Sequence, residues 1–132
     1  MKSFNLTIVT PDGVKFSGDA VSVLVRTQGG DVQILASHTD YLAALGIGRA
    51  KIALPDGEER IASASGGFIS VTDGNVSIAC TTFEFSEEID VKRAEAAREN
   101  AERAISLAKS ESELLCAKAK LARALARLSA TK

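Results

Sequence analysis

The sequence predicts an α+β protein, in which an antiparallel β-sandwich of about ten strands is followed by an antiparallel two-helix hairpin. All ten glycines and both prolines occur at or before Gly74, and all six aromatic residues precede Ser86. From Glu88 onward the chain has twelve alanines and only four β-branched residues, which favours helix over strand. The hydrophobic period also changes from two residues to about 3.6 near residue 87. We therefore assign residues 1–86 to the sandwich and 87–132 to the hairpin.

Strands in the first region are predicted by hydrophobic residues that alternate with polar ones. The clearest sets are Phe4, Leu6 and Ile8; Val21, Val23 and Val25; and Val76 and Ile78. Segments 11–13, 28–31, 55–57 and 73–75 combine Gly, Pro, Asp, Asn or Gln in the way that tight turns require. Gly66 and Gly67 interrupt a strand-like segment, which predicts a bulge or a close backbone contact there.

Two helices of roughly 18 residues are predicted by the spacing of apolar residues after residue 87. Either Ser86 or Asp90 can cap the first helix, and Ser110 with Glu113 forms a capping box for the second. The first helix has an alanine stripe, formed by Ala94, Ala97, Ala101, Ala104 and Ala108. The second has a leucine seam, formed by Leu114, Leu121, Leu125 and Leu128. Burying a methyl group contributes only about 0.8 kcal/mol, against about 1.5–3 for a leucine. The alanine side of the hairpin is thus weakly packed, and we expect the hairpin to be able to open.

Composition argues against several classes of protein. With 16 basic and 17 acidic residues, the chain lacks the excess of positive charge expected of a nucleic-acid-binding protein. The longest uncharged apolar run, residues 41–48, is far shorter than the ~20 residues of a membrane helix, and no secretory signal is visible. Two cysteines and one histidine make a metal site improbable. We expect Cys80 to lie in the core and Cys116 to be partly exposed.

Motifs for catalysis are not recognisable in the sequence. A phosphate-binding loop of the G-x-x-x-x-G-K-[ST] type does not occur, and residues 46–51 begin like a dinucleotide loop but carry a lysine in place of its third glycine. The single histidine, His38, has no recognisable nucleophile beside it. We therefore expect no catalytic residues and no required cofactor.

Four segments together resemble the epsilon subunit family of bacterial F-type, proton-translocating ATP synthase. They are the opening strand and turn (6–13), the G-D-V-Q-I-L stretch with His38 (30–38), the S-G-G-F segment (65–68) and the I-D-V-K-R-A motif (89–94). The resemblance extends over nearly the whole chain. The family's fold is a sandwich of about ten strands with a C-terminal helical hairpin, which agrees with the two hydrophobic periods.

The resemblance implies a non-catalytic subunit of the rotor's central stalk, peripheral to the cytoplasmic face of the bacterial cell membrane. The sandwich would bind the gamma subunit and rest on the membrane ring, with Asp31 and His38 near that ring. The subunit would couple proton-driven rotation to ATP synthesis. Its helical tail would switch between a folded hairpin and an extended form that enters the alpha/beta catalytic head and obstructs ATP hydrolysis.

The resemblance also implies a regulatory ATP site in the tail, because some bacterial relatives hold the hairpin folded by binding ATP. Asp90, Arg93 and Glu84 would contact the adenine. The phosphates would meet two cations one helical turn apart, Arg123 and Arg127. Asn100 stands where strong binders carry an arginine, which predicts a lower affinity.

Other interpretations of the same residues remain open. Asp90 is also a suitable helix cap, and Arg93 can pair with a neighbouring carboxylate. Arg123 and Arg127 can be solvated, or can meet an acidic segment of the catalytic subunits when the tail extends. The alternative function is a free-standing nucleotide-sensing module, and a third is a small enzyme with turnover of its own.

Overall fold

The computed structural model describes residues 2–131, so that Met1 and Lys132, the outermost residues of the two predicted domains, lie outside the described range. It contains ten strands: β1 (Phe4–Thr10), β2 (Gly13–Ala20), β3 (Ser22–Thr27), β4 (Gly30–Leu35), β5 (Tyr41–Ala44), β6 (Ile47–Ala53), β7 (Glu59–Ser65), β8 (Phe68–Thr72), β9 (Asn75–Ala79) and β10 (Thr82–Phe85). A 3₁₀ turn (Ser86–Glu88) and two helices, α1 (Val91–Leu107) and α2 (Glu111–Ala130), follow.

The strands form two five-stranded sheets. Sheet I has the order β2-β1-β9-β8-β5, and sheet II has the order β10-β7-β6-β3-β4. The predicted sandwich and hairpin are therefore confirmed. One pairing departs from the antiparallel prediction, since β1 and β9 run parallel to each other. Strands so far apart in the sequence need no hairpin connection and can pair in either direction.

The core lies between the two sheets and is built by alternation along each strand. Leu6 and Ile8 of β1, Val23 of β3 and Ile78 of β9 are all less than 2% exposed. Side chains of successive strand residues point to opposite faces, so the residues between these face away from the core. The period-two prediction is confirmed for these strands, whereas Val21 lies in the connection between β2 and β3.

Gly66 and Gly67 connect β7 of sheet II to β8 of sheet I. Gly67 has φ +99°, and a Cβ atom placed on it would lie 1.7 Å from the carbonyl oxygen of Ala79. Only glycine permits this approach of two backbones. The predicted close backbone contact is confirmed.

The first helix begins at Val91 with Asp90 as its N-cap, so the Asp90 alternative is correct and the Ser86 alternative is wrong. Ser86 begins the separate 3₁₀ turn instead. Ser110 caps α2 as predicted, its hydroxyl accepting from the Glu113 N–H at 3.1 Å. The Glu113 carboxylate accepts in return from the Lys109 N–H, one residue before the cap, at 2.9 Å.

Helix α2 lies between α1 and the outer face of sheet II, where it packs on β6 and β7. Its buried residues are all alanines: Ala117, Ala124, Ala126 and Ala130. The leucine seam is wrong in part, because Leu125 is 47% exposed, and the alanine stripe of α1 is wrong at Ala104, which is exposed. A helix packed closely on two sides needs small residues on both, and its leucines then lie at the margins of the contact.

Candidate functional site

A cleft of about 410 Å³ opens where the helical hairpin meets β10 of sheet II. Its volume lies in the range of about 300–1,000 Å³ that is usual for small-molecule sites. Its lining comes from the sandwich, from the turn after it and from both helices: Glu84, Glu88, Asp90, Arg93, Ala94, Ala97 and Arg127. The cleft therefore exists only while the hairpin is folded on the sandwich.

Asp90 and Arg93 occupy the first turn of α1, at the mouth of the cleft. The Asp90 carboxylate accepts a hydrogen bond from the Arg93 N–H at 3.1 Å, so it does act as a helix cap. Its other oxygen has no protein partner among residues 2–131 and can accept from a ligand. The Arg93 guanidinium forms no ion pair within the described residues, in contrast to the alternative that it pairs with a neighbouring carboxylate.

Glu84 and Arg127 form an ion pair across the cleft, between β10 and α2. The Arg127 Nε donates to Glu84 Oε1 at 2.7 Å, and the two side chains are 32% (Glu84) and 30% (Arg127) exposed. Glu84 lies on the outer face of sheet II, because its strand neighbours Phe83 and Phe85 point into the core. The pair joins residues 43 positions apart in the sequence and ties α2 to the sandwich.

Glu88 is a cleft residue that the sequence interpretation missed. Its carboxylate accepts from the Phe85 N–H at 3.2 Å and lies 4.0 Å from the Lys15 ammonium. It lies between the two possible caps of the first helix, Ser86 and Asp90, and the 3₁₀ turn directs it to the cleft. With Glu88 included, the cleft has three carboxylates and two guanidiniums, which suits a nucleoside better than a polyanion.

Arg123 lies outside the cleft, although it was predicted to act with Arg127. It lines a neighbouring hollow of about 570 Å³ between α2 and the turns at one end of sheet II. The structure thus brings Glu84, Asp90, Arg93 and Arg127 together and leaves Arg123 one helical turn away. Asn100, which was expected to lower the affinity for ATP, is exposed, and its side-chain oxygen accepts from Arg103 Nη2 at 2.7 Å.

The turn between sandwich and hairpin is anchored to the sandwich by Arg60 of β7. The Arg60 guanidinium lies 3.7 Å from the centre of the Phe85 ring and donates to the Glu87 carboxylate at 2.5 Å. The pKa of Glu87 is lowered by its backbone hydrogen bond and by this contact with Arg60. The anchor holds the cleft's Glu88 beside β10.

Asp31 and His38 lie at opposite ends of β4, an edge strand of sheet II. Asp31 is exposed and pairs with Arg26 at 3.4 Å. His38 lies in the loop after β4, where its Nδ1 is 2.7 Å from the Thr39 carbonyl and its ring makes an edge contact with Tyr41. A strand rises about 3.3 Å per residue, so most of the length of β4 separates the two residues. They therefore lie along the edge of sheet II and not together at one end of the sandwich.

A second exposed feature is an apolar area on the outer face of sheet I. Strand register aligns four residues in one row across β5, β8, β9 and β1: Ala44, Phe68, Ala79 and Val9. Leu42 adjoins this row and is 72% exposed, and Phe68 is 59% exposed. We call Val9, Leu42, Phe68 and Ala79 the sheet I patch; it is not covered by either helix.

The two cysteines lie in different environments. Cys80 is buried, as expected, and burial raises the pKa of its thiol to about 11, whereas Cys116 is exposed. Within residues 2–131, no group of three or more His, Cys, Asp or Glu side chains is arranged to hold a metal ion. No helix in the same range has the length and hydrophobicity needed to span a membrane.

Comparisons with known proteins cover the whole chain. The model for the β-sandwich domain of ATP synthase delta/epsilon chains matches residues 3–86, and the model for the long α-helix domain of these chains matches 87–132. The ATP synthase epsilon chain of Ruminiclostridium cellulolyticum is 37% identical over 131 residues, covering 99% of this chain and 97% of that relative. The epsilon chain of Bacillus velezensis is 37% identical over 128 residues, covering 97% and 96%.

Solved structures agree with the sequence comparisons. A chain in the cryo-EM structure of the Euglena gracilis mitochondrial ATP synthase OSCP/F1/c-ring complex aligns with TM-score 0.84 and 27% identity, covering 97% of this chain and 80% of that one. A chain of the Tetrahymena thermophila mitochondrial ATP synthase central stalk and c-ring aligns with TM-score 0.64 and 18% identity, covering 99% and 98%, and shares the fold.

Proposed function

Because the chain belongs to the epsilon chains of ATP synthase, we propose that it is a non-catalytic subunit of the central stalk in a bacterial, proton-translocating enzyme. It would couple proton-driven rotation to ATP synthesis as a peripheral component at the cytoplasmic face of the cell membrane. The observation that carries this proposal is the similarity to bacterial epsilon chains from one end of the chain to the other.

The sheet I patch is the part of the sandwich best suited to bind the gamma subunit. Sheet II carries the helical hairpin on its outer face, whereas the outer face of sheet I leaves Leu42 and Phe68 largely exposed. Cores of stable interfaces are apolar and well packed, and exposed apolar patches mark such sites. We assign the gamma contact to this patch.

Co-expression with a gamma subunit tests both the assignment and the function. The unmodified chain should co-purify with gamma, and the double variant Leu42→Asp, Phe68→Asp should lose the complex while remaining folded. The control is Leu107→Asp, Leu115→Asp, which alters two leucines of the hairpin that are 74% and 68% exposed. A chain that stays monomeric in the presence of gamma would favour the free-standing nucleotide-sensing module instead.

The contact with the membrane ring is proposed to run along the edge of β4. An edge strand offers unpaired backbone groups and both flanking residues, Asp31 and His38, to one partner surface. Photo-crosslinkers placed at positions 31 and 38 of the assembled enzyme should both react with ring subunits. Reaction at neither position would contradict this contact.

Regulation is proposed to act through the hairpin, which would extend into the alpha/beta catalytic head to obstruct ATP hydrolysis. ATP would oppose this extension by binding the folded hairpin. Asp90, Arg93 and Glu84 would hold the adenine, with Arg127 beside them and Arg123 at the phosphates. The support is that β10, α1 and α2 all contribute to the cleft, so a ligand bound there has affinity for the folded state alone.

Isothermal titration of the isolated chain tests the nucleotide site. MgATP should bind saturably, and Arg93→Gln should abolish binding because it removes the guanidinium assigned to the adenine. The fold should be unaffected, since Arg93 forms no ion pair within residues 2–131. Arg103→Gln is the matched control, since Arg103 lies on the same helix but outside the cleft. Absence of binding heat up to millimolar MgATP would refute the site and leave the stalk function standing.

A further inference from the structure

A basic pocket lies on the part of the outer face of sheet II that the helices leave uncovered. Helix α2 packs on β6 and β7, and its principal contacts include neither β3 nor β4. The pocket has a volume of about 450 Å³ and is formed by residues of β3, β4 and β6. Strand β7, with α2 above it, separates the pocket from the nucleotide cleft at β10. It is therefore a second and independent site.

Positive charge predominates in the pocket. Three cationic side chains and one carboxylate line it: Arg26, Arg49, Lys51 and Asp31. Arg49 is exposed and forms no ion pair within residues 2–131. Arg26 pairs with Asp31, and Lys51 pairs with Glu59 of β7. All four of these side chains are between 43% and 57% exposed, and exposed pairs contribute little to stability. The cations can therefore turn towards a ligand at low cost.

Gly48 makes room for the Arg26 side chain at one wall of the pocket. A Cβ atom at Gly48 would lie 2.7 Å from Cβ and 3.0 Å from Cγ of Arg26, so the arginine stem lies directly over the glycine. Gly48 does not have a positive φ, so it is the space and not the backbone conformation that requires glycine. Asp31, the cross-strand partner of Arg26, accepts one of the guanidinium N–H groups at 3.4 Å. The other N–H groups of Arg26 remain for a ligand.

Two apolar residues, Leu24 and Ile47, lie among these charges. Both are half-buried and lie on the outer face, because the alternate residues Val23, Val25 and Ala50 point into the core. An inorganic anion would gain nothing from this apolar surface. A nucleic acid would need a broad basic face, whereas the chain has a net charge of −1. The combination suits a peptide that carries carboxylates on either side of an apolar side chain.

We propose that the basic pocket is a docking site for an acidic peptide segment of a partner protein. The carboxylates of the segment accept hydrogen bonds from Arg26 and Arg49, with Lys51 as a further cation, and its apolar side chain covers Leu24 and Ile47. Guanidinium groups are well suited to this role, because they hold carboxylates through two parallel hydrogen bonds. Docking here requires neither nucleotide binding nor movement of the hairpin.

Amide NMR of the full chain, titrated at constant ionic strength with the blocked peptide Glu-Glu-Leu-Glu-Glu, tests the site. Alternate side chains of an extended peptide share a face, so the leucine of this peptide lies between two carboxylates. The amides of Leu24, Arg26, Gly48 and Arg49 should shift. The peptides Gln-Gln-Leu-Gln-Gln and Glu-Glu-Ser-Glu-Glu should each bind at least about fivefold more weakly, because the first lacks the charges and the second the apolar side chain.

Two variants with matched controls test the assigned residues. Arg49→Gln should weaken peptide binding at least about tenfold, through loss of a charge-assisted hydrogen bond. Its control is Lys120→Gln, which removes an exposed cation of α2 outside the pocket. Gly48→Ala should also weaken binding, because the added methyl group displaces Arg26. Its control is Gly18→Ala, where the nearest atom to an added Cβ is 3.9 Å away. Urea unfolding of each variant verifies that the sandwich is intact.

Several results would overturn the docking site. One is the absence of amide shifts up to millimolar peptide. Another is equal weakening by Arg49→Gln and Lys120→Gln, which would reduce the effect to general electrostatics. Tighter binding of inorganic phosphate or of a single-stranded oligonucleotide than of the acidic peptide would contradict a peptide as the occupant. Peptide shifts confined to the pocket, and lost in Arg49→Gln but not in Lys120→Gln, would support it.

Discussion

The ion pair between Glu84 and Arg127 should stabilise the docking of α2 measurably. It is a hydrogen-bonded ion pair that joins α2 to sheet II, with Nε and Oε1 2.7 Å apart. We expect Glu84→Gln and Arg127→Gln, separately and together, to shift α2 towards the detached state. The glutamine variants keep most of the side-chain volume, so packing changes little and charge is the principal variable.

The magnitude follows from geometry and exposure. Exposed ion pairs contribute about 0.2–1 kcal/mol, and hydrogen bonds to charged groups about 1.5–3 kcal/mol. Both side chains are roughly one third exposed, so water screens the pair in part. We expect a coupling free energy of about 1 kcal/mol, which corresponds to a five- to sixfold change in the docking equilibrium.

A double-mutant cycle with hydrogen exchange of the α2 amides measures this coupling, because exchange reports local detachment as well as global unfolding. The matched control is the Lys51–Glu59 pair on the sandwich, also 2.7 Å apart but with side chains 43% and 51% exposed. Substituting the control pair should leave α2 exchange unchanged. A Glu84–Arg127 coupling below about 0.3 kcal/mol would refute the view that this pair holds the hairpin.

Three further predictions concern the core and the helix contact. Gly67→Ala should destabilise the sandwich by more than about 3 kcal/mol, measured by urea unfolding, because both the positive φ and the Ala79 carbonyl oppose a Cβ; a cost below about 1 kcal/mol would contradict the geometry. Stability should fall as pH rises from about 9 towards 11, because the unfolded Cys80 thiol ionises before the buried one; Cys80→Ala should remove this part of the slope, and an unchanged slope would contradict the assignment. Ala124→Leu, at a residue 0% exposed, should cost about 1–3 kcal/mol and increase α2 exchange while β-strand exchange stays constant; equal changes in both would show that the hairpin and sandwich unfold together.

The division into sandwich and hairpin could be predicted because it depends on local composition. Alternation around Leu6 and Ile8 specifies strands, and the alanine-rich tail specifies helices, whichever way these elements pack later. The parallel pairing of β1 with β9 could not be predicted, because no turn connects these strands and the choice depends on the completed sheet.

Four of the five predicted nucleotide-site residues line the cleft, namely Glu84, Asp90, Arg93 and Arg127, but only Asp90 and Arg93 are brought together by local structure. Asp90 and Arg93 are three residues apart, and helix geometry alone brings them together. Glu88 was missed because its position depends on the 3₁₀ turn that Arg60 and Glu87 hold. Arg123 and Arg127 share a helix face, but the sheet beneath α2 changes from Glu84 to Thr82 over the same distance, so the two arginines enter different cavities.

The packing of α2 explains how a modest ligand could control the hairpin. The helix buries alanines, each worth about 0.8 kcal/mol per methyl group, and gains about 1 kcal/mol from the Glu84–Arg127 pair. A ligand that binds only the docked state adds about 2.7 kcal/mol at 100 times its dissociation constant, which exceeds any one of these contacts. A leucine-rich interface would exceed that contribution several times and leave the ligand with little influence. The small residues that allow α2 to lie between α1 and sheet II therefore also keep its docking within the range that binding free energy can shift.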